Sequence, residues 1–193
     1  AQSTIANAIS GDIKNGFISK YMIMPIKPAG YYFVKDLAQK LYEMSIGIIA
    51  MLPVVLIFHD SIMVYAELED MPVILLCLSM SIVLSFLIFY NISLLTFWFT
   101  DISSLFMAVM IITDFLSGGY FPLSILPSEI YKFMHILPFY YTIFFPVNMI
   151  TSNIESDNII QGLLVQIIWI IFLGMLSILL LRKGRKRYEA TGI

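Results

Sequence analysis

Few residues in this sequence are of a type that does chemistry, and their spacing limits what that chemistry is. The apolar stretches contain a single carboxylate, Asp114, in the run SSLFMAVMIITDFLSGG. An acidic side chain within hydrocarbon is costly and points by default to a functional role. Two readings of it stand side by side. Asp114 is a candidate pathway residue. Alternatively, with Gly118 and Gly119 close behind, it lies near the outer water interface, where it caps a broken segment or pairs with Lys132. His59 and His135 stand alone on different loops and read as interfacial polar residues. Cys77 is the only cysteine, which excludes an intramolecular disulfide and a cysteine-rich metal site. No G-x-x-x-x-G-K-[ST] phosphate loop, G-x-S-x-G elbow or H-E-x-x-H pair is present. The chain is therefore read as no enzyme, with no catalytic, cofactor-binding or metal residues of its own. Asn91-Ile92-Ser93 matches a glycosylation acceptor formally but lies within an apolar run, and is discounted. Asn91, Gln161 and Gln166 are expected to hydrogen-bond across helices at modest gain.

The elements that position these residues follow from composition. Of 193 residues, 60% are hydrophobic and 12% charged, with a mean hydropathy of +0.90. A soluble domain carries about a quarter charged residues, so the bilayer is the solvent. The net charge of −2 gives no support to nucleic-acid binding. A spanning helix needs about 20 apolar residues. Spans are expected at about 44–66, 72–99, 102–117 and 159–181. Asn158–Leu181 is free of charge and ends abruptly at a basic cluster from Arg182 to Arg187. The run from Met71 to Thr100 is also charge-free, with Pro72 well placed in its first turn. Met44–Phe58 is short and contains Pro53, so it must borrow turns from Leu37–Glu43 or Ser61–Ala66.

From 118 to 153 the chain stays apolar but is punctuated by Gly118, Gly119, Pro122, Pro127, Pro138 and Pro146. Interior prolines remove backbone donors, and irregular backbone cannot face lipid. The stretch is read as a re-entrant helical hairpin; the alternative is one kinked spanning helix, Phe133–Asn153. Of 11 Lys and Arg, five precede the first span, five follow the last, and Lys132 is the other. The positive-inside rule then makes both ends cytoplasmic and the number of crossings even. Four spans meet this condition if 118–153 turns back without crossing.

Residues 1–43 differ in composition and are read as a cytoplasmic segment. In YYFVKDLAQKLYE, Val34, Leu37, Ala38 and Leu41 share a helical face, and Lys35, Asp36, Gln39, Lys40 and Glu43 take the other. This predicts an interfacial amphipathic helix on the inner leaflet, with Asp36 and Lys40 as an i,i+4 pair. Upstream, Ser10-Gly11-Asp12 is expected to cap a short helix running to Lys20 or Tyr21, ended by Met24-Pro25-Ile26-Lys27-Pro28. Such a helix is a candidate docking knob for a soluble partner. The fold class is thus an all-α integral membrane protein: a helical bundle (44–181) with a cytoplasmic amphipathic segment (1–43), a re-entrant helical hairpin and a basic cytoplasmic tail (182–193).

Three blocks carry a family resemblance: SGDIKNGFISKYMIMPIKP, FWFTDISSL, and SGGYFPLSILPSEIYKFMHILPFYYTIFFPVNMI. With them the sequence resembles the permease subunits of ABC-2 type transporters, over essentially its whole length. The resemblance implies six spans, a dimer with a second copy or a homologous permease, and two docked ATP-hydrolysing subunits. It implies a coupling helix at about Gly11–Tyr21, with Gly11, Asp12, Ile13, Phe17 and Lys20 as docking residues, and an outward hairpin at about 118–153. The four expected spans would be the third to sixth, and the chain a piece of a longer protein. ATP and Mg would reside on the partner, and the subunit would sit in the plasma membrane and export by alternating access. Rival readings are an ion-coupled secondary transporter or membrane-embedded enzyme, for which Asp114 is the available titratable group, and an accessory subunit.

Overall fold

The computed structural model describes residues 2–17, 27–58, 68–99, 102–151 and 156–190. Among them the regular elements are all helical: α1 (Gln2–Lys14), α2 (Pro28–Ile57), α3 (Met71–Leu94), α4 (Ser103–Leu116), α5 (Ser128–Met134), α6 (Phe144–Thr151) and α7 (Ser156–Ala190), with short 3-10 turns between several of them. Three helices are long and apolar enough to cross a membrane: α2, α3 with the turn after it, and the 158–187 part of α7.

α3 is apolar all round, and such a helix belongs at the centre of a bundle. Half of its most apolar window is buried, against 17% for α7 and none for α2. α7 runs alongside it. Gln166 meets Ser81, Ser177 meets Asn91, and the backbone at Gly184 meets Phe97. Positions rise together on both helices, so α3 and α7 are parallel. On α2, Tyr32 packs in the cluster of Tyr90 and Leu94, while Lys40 reaches Ser85; α2 is therefore antiparallel to α3.

Parallel α3 and α7 require the chain between them to return from one end of the bundle to the other. α4 begins that return, with Phe106 against Phe89 beside α1. At 14 residues it covers roughly 21 Å of the ~30 Å hydrocarbon. The short pieces that follow pack against Ile74, Cys77 and Leu84, at the opposite end from α1. α1 and the basic end of α7 consequently share one end of the bundle, since Ile5, Ile9 and Ile13 lie in the same cluster as Phe97, Leu180 and Leu181.

The structure departs from the sequence expectations in three places. First, the amphipathic segment 31–43 and the first span form one continuous helix, which ends at Ile57. Nothing between Tyr31 and Ala50 breaks a helix, and Pro53 deletes only one internal hydrogen bond; the missing turns are taken from the N-terminal side. Second, its faces are largely inverted: Tyr32 and Asp36 are buried, while Val34, Ala38 and Leu41 are exposed, although Lys35 also stays exposed. In a bundle surrounded by lipid, apolar side chains face outward and charged ones need internal partners. Third, Ser10 lies inside α1 rather than at its start. The stripe Ile5, Ile9, Ile13 begins the helix upstream, and Gly16, at φ 79°, follows its C-terminus. The alternative of one kinked helix from Phe133 onward is not what forms: the described residues 133–151 hold parts of two separate helices and a 3-10 turn.

Candidate functional site

The first region of interest is the α1 end. Ile9 is fully buried, and Ile5 and Ile13 are nearly so, against Tyr32, Phe86, Tyr90, Leu94 and Phe97. Polar contacts fix the same helix. The Thr96 hydroxyl donates to Ser10 Oγ at 3.0 Å, and the Tyr32 hydroxyl donates to Asp12 Oδ2 at 2.9 Å. α1 is thus packed and hydrogen-bonded against the ends of α2 and α3. Its other face is open: a Cβ added at Gly11 would meet nothing within 4 Å, and Phe17, just past the helix, is 59% exposed. The docking candidates therefore divide. Gly11 and Phe17 are accessible, Asp12 is half-buried, and Ile13 completes the buried stripe and acts as an anchor. Lys20 and Tyr21 lie outside the described residues.

One turn along α2, the Lys40 ammonium sits 2.7 Å from Asp36 Oδ2 and donates to Ser85 Oγ at 3.4 Å. The expected i,i+4 pair is present, but it is turned inward with the Asp36 side chain only 2% exposed. Removing either partner would strand the other in a low-dielectric site.

The seam between α3 and α7 is polar at two levels. Gln166 donates to Ser81 Oγ at 2.9 Å and to the Tyr141 carbonyl at 3.1 Å. Asn91 donates to the Leu173 carbonyl at 3.1 Å and accepts from the Ser177 hydroxyl at 3.1 Å. The expectation for Asn91 and Gln166 thus holds, and the buried Asn91 is no glycan acceptor. Gln161 lies outside this seam, on an exposed part of α7.

The second region is the broken segment at the other end. Each glycine and proline singled out in the sequence has a position that suits it. Gly118, at φ 79°, and Gly119 terminate α4, with the Gly119 amide donating to the Asp114 carbonyl at 2.9 Å. Pro122 and Pro127 precede the 3-10 turn Leu123–Ile125 and α5, Pro138 opens the turn Pro138–Tyr141, and Pro146 lies in the first turn of α6. Aromatic rings fill the space between these pieces: Tyr140 packs on Tyr131, His135, Phe144 and Phe145. The Phe145 ring lies so close to the α7 backbone that a Cβ at Gly162 would overlap it. Between this segment and α7 is a cavity of about 480 Å³.

Asp114 is half-buried in the last turn of α4. Lys132 does not pair with it; Lys132 pairs with Glu129 at 3.2 Å on an exposed face, because α5 places the two one turn apart. His59 lies outside the described residues. Sequence reasoning missed Ser81 and the close approaches at Gly162 and Gly184. Their signal is a small or hydroxyl residue interrupting an apolar helix, which names a contact but not what fills it. Among the described residues no group of three or more His, Cys, Asp or Glu could hold a metal ion.

No curated protein and no solved structure matches the chain. The family model described as "ABC-2 family transporter protein" matches residues 1–192. A bundle of long apolar helices that carries this match over nearly its whole length belongs to the ABC-2 transporter family, as a membrane-embedded permease.

Proposed function

We propose that this permease exports its substrate by alternating access, driven by a separate ATP-hydrolysing subunit that docks at the α1 end. The observation that carries the reading is the mounting of α1. Its apolar stripe and two hydrogen bonds tie it to α2, α3 and the turn that follows α3, while Gly11 and Phe17 remain accessible. A helix held in this way transmits a push on its exposed tip to the spans instead of yielding locally. ATP and Mg act on the partner; this chain supplies the two-state bundle that the partner biases.

The α1 end is the cytoplasmic end, because the basic residues from Arg182 to Arg187 share it. The broken segment then lies toward the outside of the plasma membrane, dipping into one leaflet as a re-entrant hairpin. The outward face of α2, none of whose most apolar window is buried, meets lipid or a second permease copy.

Phe17→Asp tests this directly. A central aromatic anchor is worth about 2 kcal/mol or more at an interface, roughly thirtyfold in affinity. The variant is expected to lose the co-purifying ATPase subunit and ATP-driven transport while unfolding at the parent temperature. Ile13→Ala, by contrast, lowers stability first. If Phe17→Asp keeps both the ATPase and transport, the docking assignment is wrong.

A further inference from the structure

Asn158 and Gln161 stand on the helical face of α7 that lines the 480 Å³ cavity, together with Gly162 and Val165. The spacing i, i+3, i+4, i+7 makes this one stripe. Both side chains are exposed, and among the described residues neither amide has a hydrogen-bond partner. Two open amides have donors and acceptors to offer to something outside the chain. Opposite them stand the rings of Tyr140 and Phe145. Among the described residues no Asp, Glu, Lys or Arg lines the space, and the charges on the facing segment, Glu129 and Lys132, pair with each other elsewhere.

We propose that this cavity binds the uncharged, hydroxyl-bearing head of an amphiphile and discriminates against phosphate heads. The chemistry of the wall selects it. A hydroxyl both donates and accepts, as an amide does, so the two match in pairs. The apolar face of a ring-shaped head lies on the aromatic side chains. A phosphate would meet no permanent cation there, only the imidazole of His135, and would lose most of its hydration uncompensated. The volume is that of a small-molecule site. Two sources share this chemistry, a resident neutral lipid and the head of the exported cargo. The inference rests on the chain being a membrane permease and on nothing about the ATPase.

Trp169 reports on the site, because its indole donates to the Ile136 carbonyl at 3.0 Å, next to His135 on the cavity wall. The Trp98→Phe protein, in phosphatidylcholine nanodiscs, leaves it as the only tryptophan. Titration with n-octyl-β-D-glucoside should give a saturable change in Trp169 emission, and n-octyl phosphate a response weaker by about tenfold or more. Adding Asn158→Leu and Gln161→Leu should weaken the glucoside response by about tenfold. Equal responses to the two heads, or a glucoside response that survives both substitutions, would overturn the proposal. The head-group comparison needs no substitution in the cavity, so it stands even if the double variant folds poorly. A neutral lipid retained from native membranes and indifferent to ATP identifies a resident lipid. A glucoside site that empties when ATP is added to the assembled transporter identifies cargo. Both uphold the binding chemistry, and a phosphate lipid retained there and displaced by octyl phosphate overturns it. ATPase co-purification should be unchanged in these variants, which separates failure here from failure of the docking assignment.

Discussion

Replacing Gln166 with leucine removes the upper polar tie between α3 and α7, and the structure sets the size of the effect. The side chain is fully buried, and its amide donates to Ser81 Oγ and to the Tyr141 carbonyl. Hydrogen bonds between membrane helices average about 0.6 kcal/mol, with a maximum near 1.7, so two contribute about 1.2. Leucine has nearly the same volume and also removes the Gln166 carbonyl oxygen, which is buried without a partner; this offsets part of the loss. The Tyr141 carbonyl keeps the Ser81 hydroxyl at 2.8 Å as an alternative donor. The expected destabilisation is therefore about 1 kcal/mol. The assay is reversible unfolding in mixed micelles, run as a double-mutant cycle with Ser81→Ala. A coupling energy of about 0.6 kcal/mol is expected, since Ser81 and Gln166 share one direct bond. Strict additivity would refute the parallel register that places these two residues together.

Other substitutions test other parts of the fold. Gly162→Ala puts a methyl into the Phe145 ring; overpacking of this kind costs about 1–3 kcal/mol, and a thermal melt should show it, whereas Gly47→Ala, in open space, should not. Gly118→Ala forces an L side chain to φ 79° and toward Phe144; the left-handed conformation alone costs roughly 1–2 kcal/mol, read as lower stability without loss of ATPase binding. Asp114→Asn should leave ATP-driven transport in place. Transport that is independent of ATP and lost in this variant would instead favour an ion-coupled mechanism through that carboxylate.

What the sequence conveyed and what it concealed divide along physical lines. The long charge-free runs at 71–100 and 158–181 were legible because hydrocarbon thickness imposes a length on any helix that crosses it. The breaks at Gly118, Pro127 and Pro138 were legible because glycine and proline act through their own backbones, whatever surrounds them. The faces of α2 were read backwards, since the period of Val34, Leu37 and Leu41 marks an apolar stripe but not whether protein or lipid covers it. The start of α1 was misplaced because Ser10 has a good capping side chain, yet Ile5 and Ile9 upstream had enough apolar surface to carry the helix past it. Gly162 and Gly184 were silent for another reason: a glycine permits a close approach, and only the fold supplies Phe145 and Phe97 to make it.

The orientation of the bundle is best tested with single cysteines introduced at Asn15, Tyr120 and Lys186 in a Cys77→Ala background, labelled by a membrane-impermeant maleimide in cells and in inverted vesicles. All three positions are exposed, and Cys77 is buried and free. Labelling of Asn15→Cys and Lys186→Cys only from the cytoplasmic side, and of Tyr120→Cys only from outside, is the predicted result. Labelling of Asn15→Cys and Lys186→Cys from opposite sides would contradict the shared end on which the docking lever and the outward segment both depend.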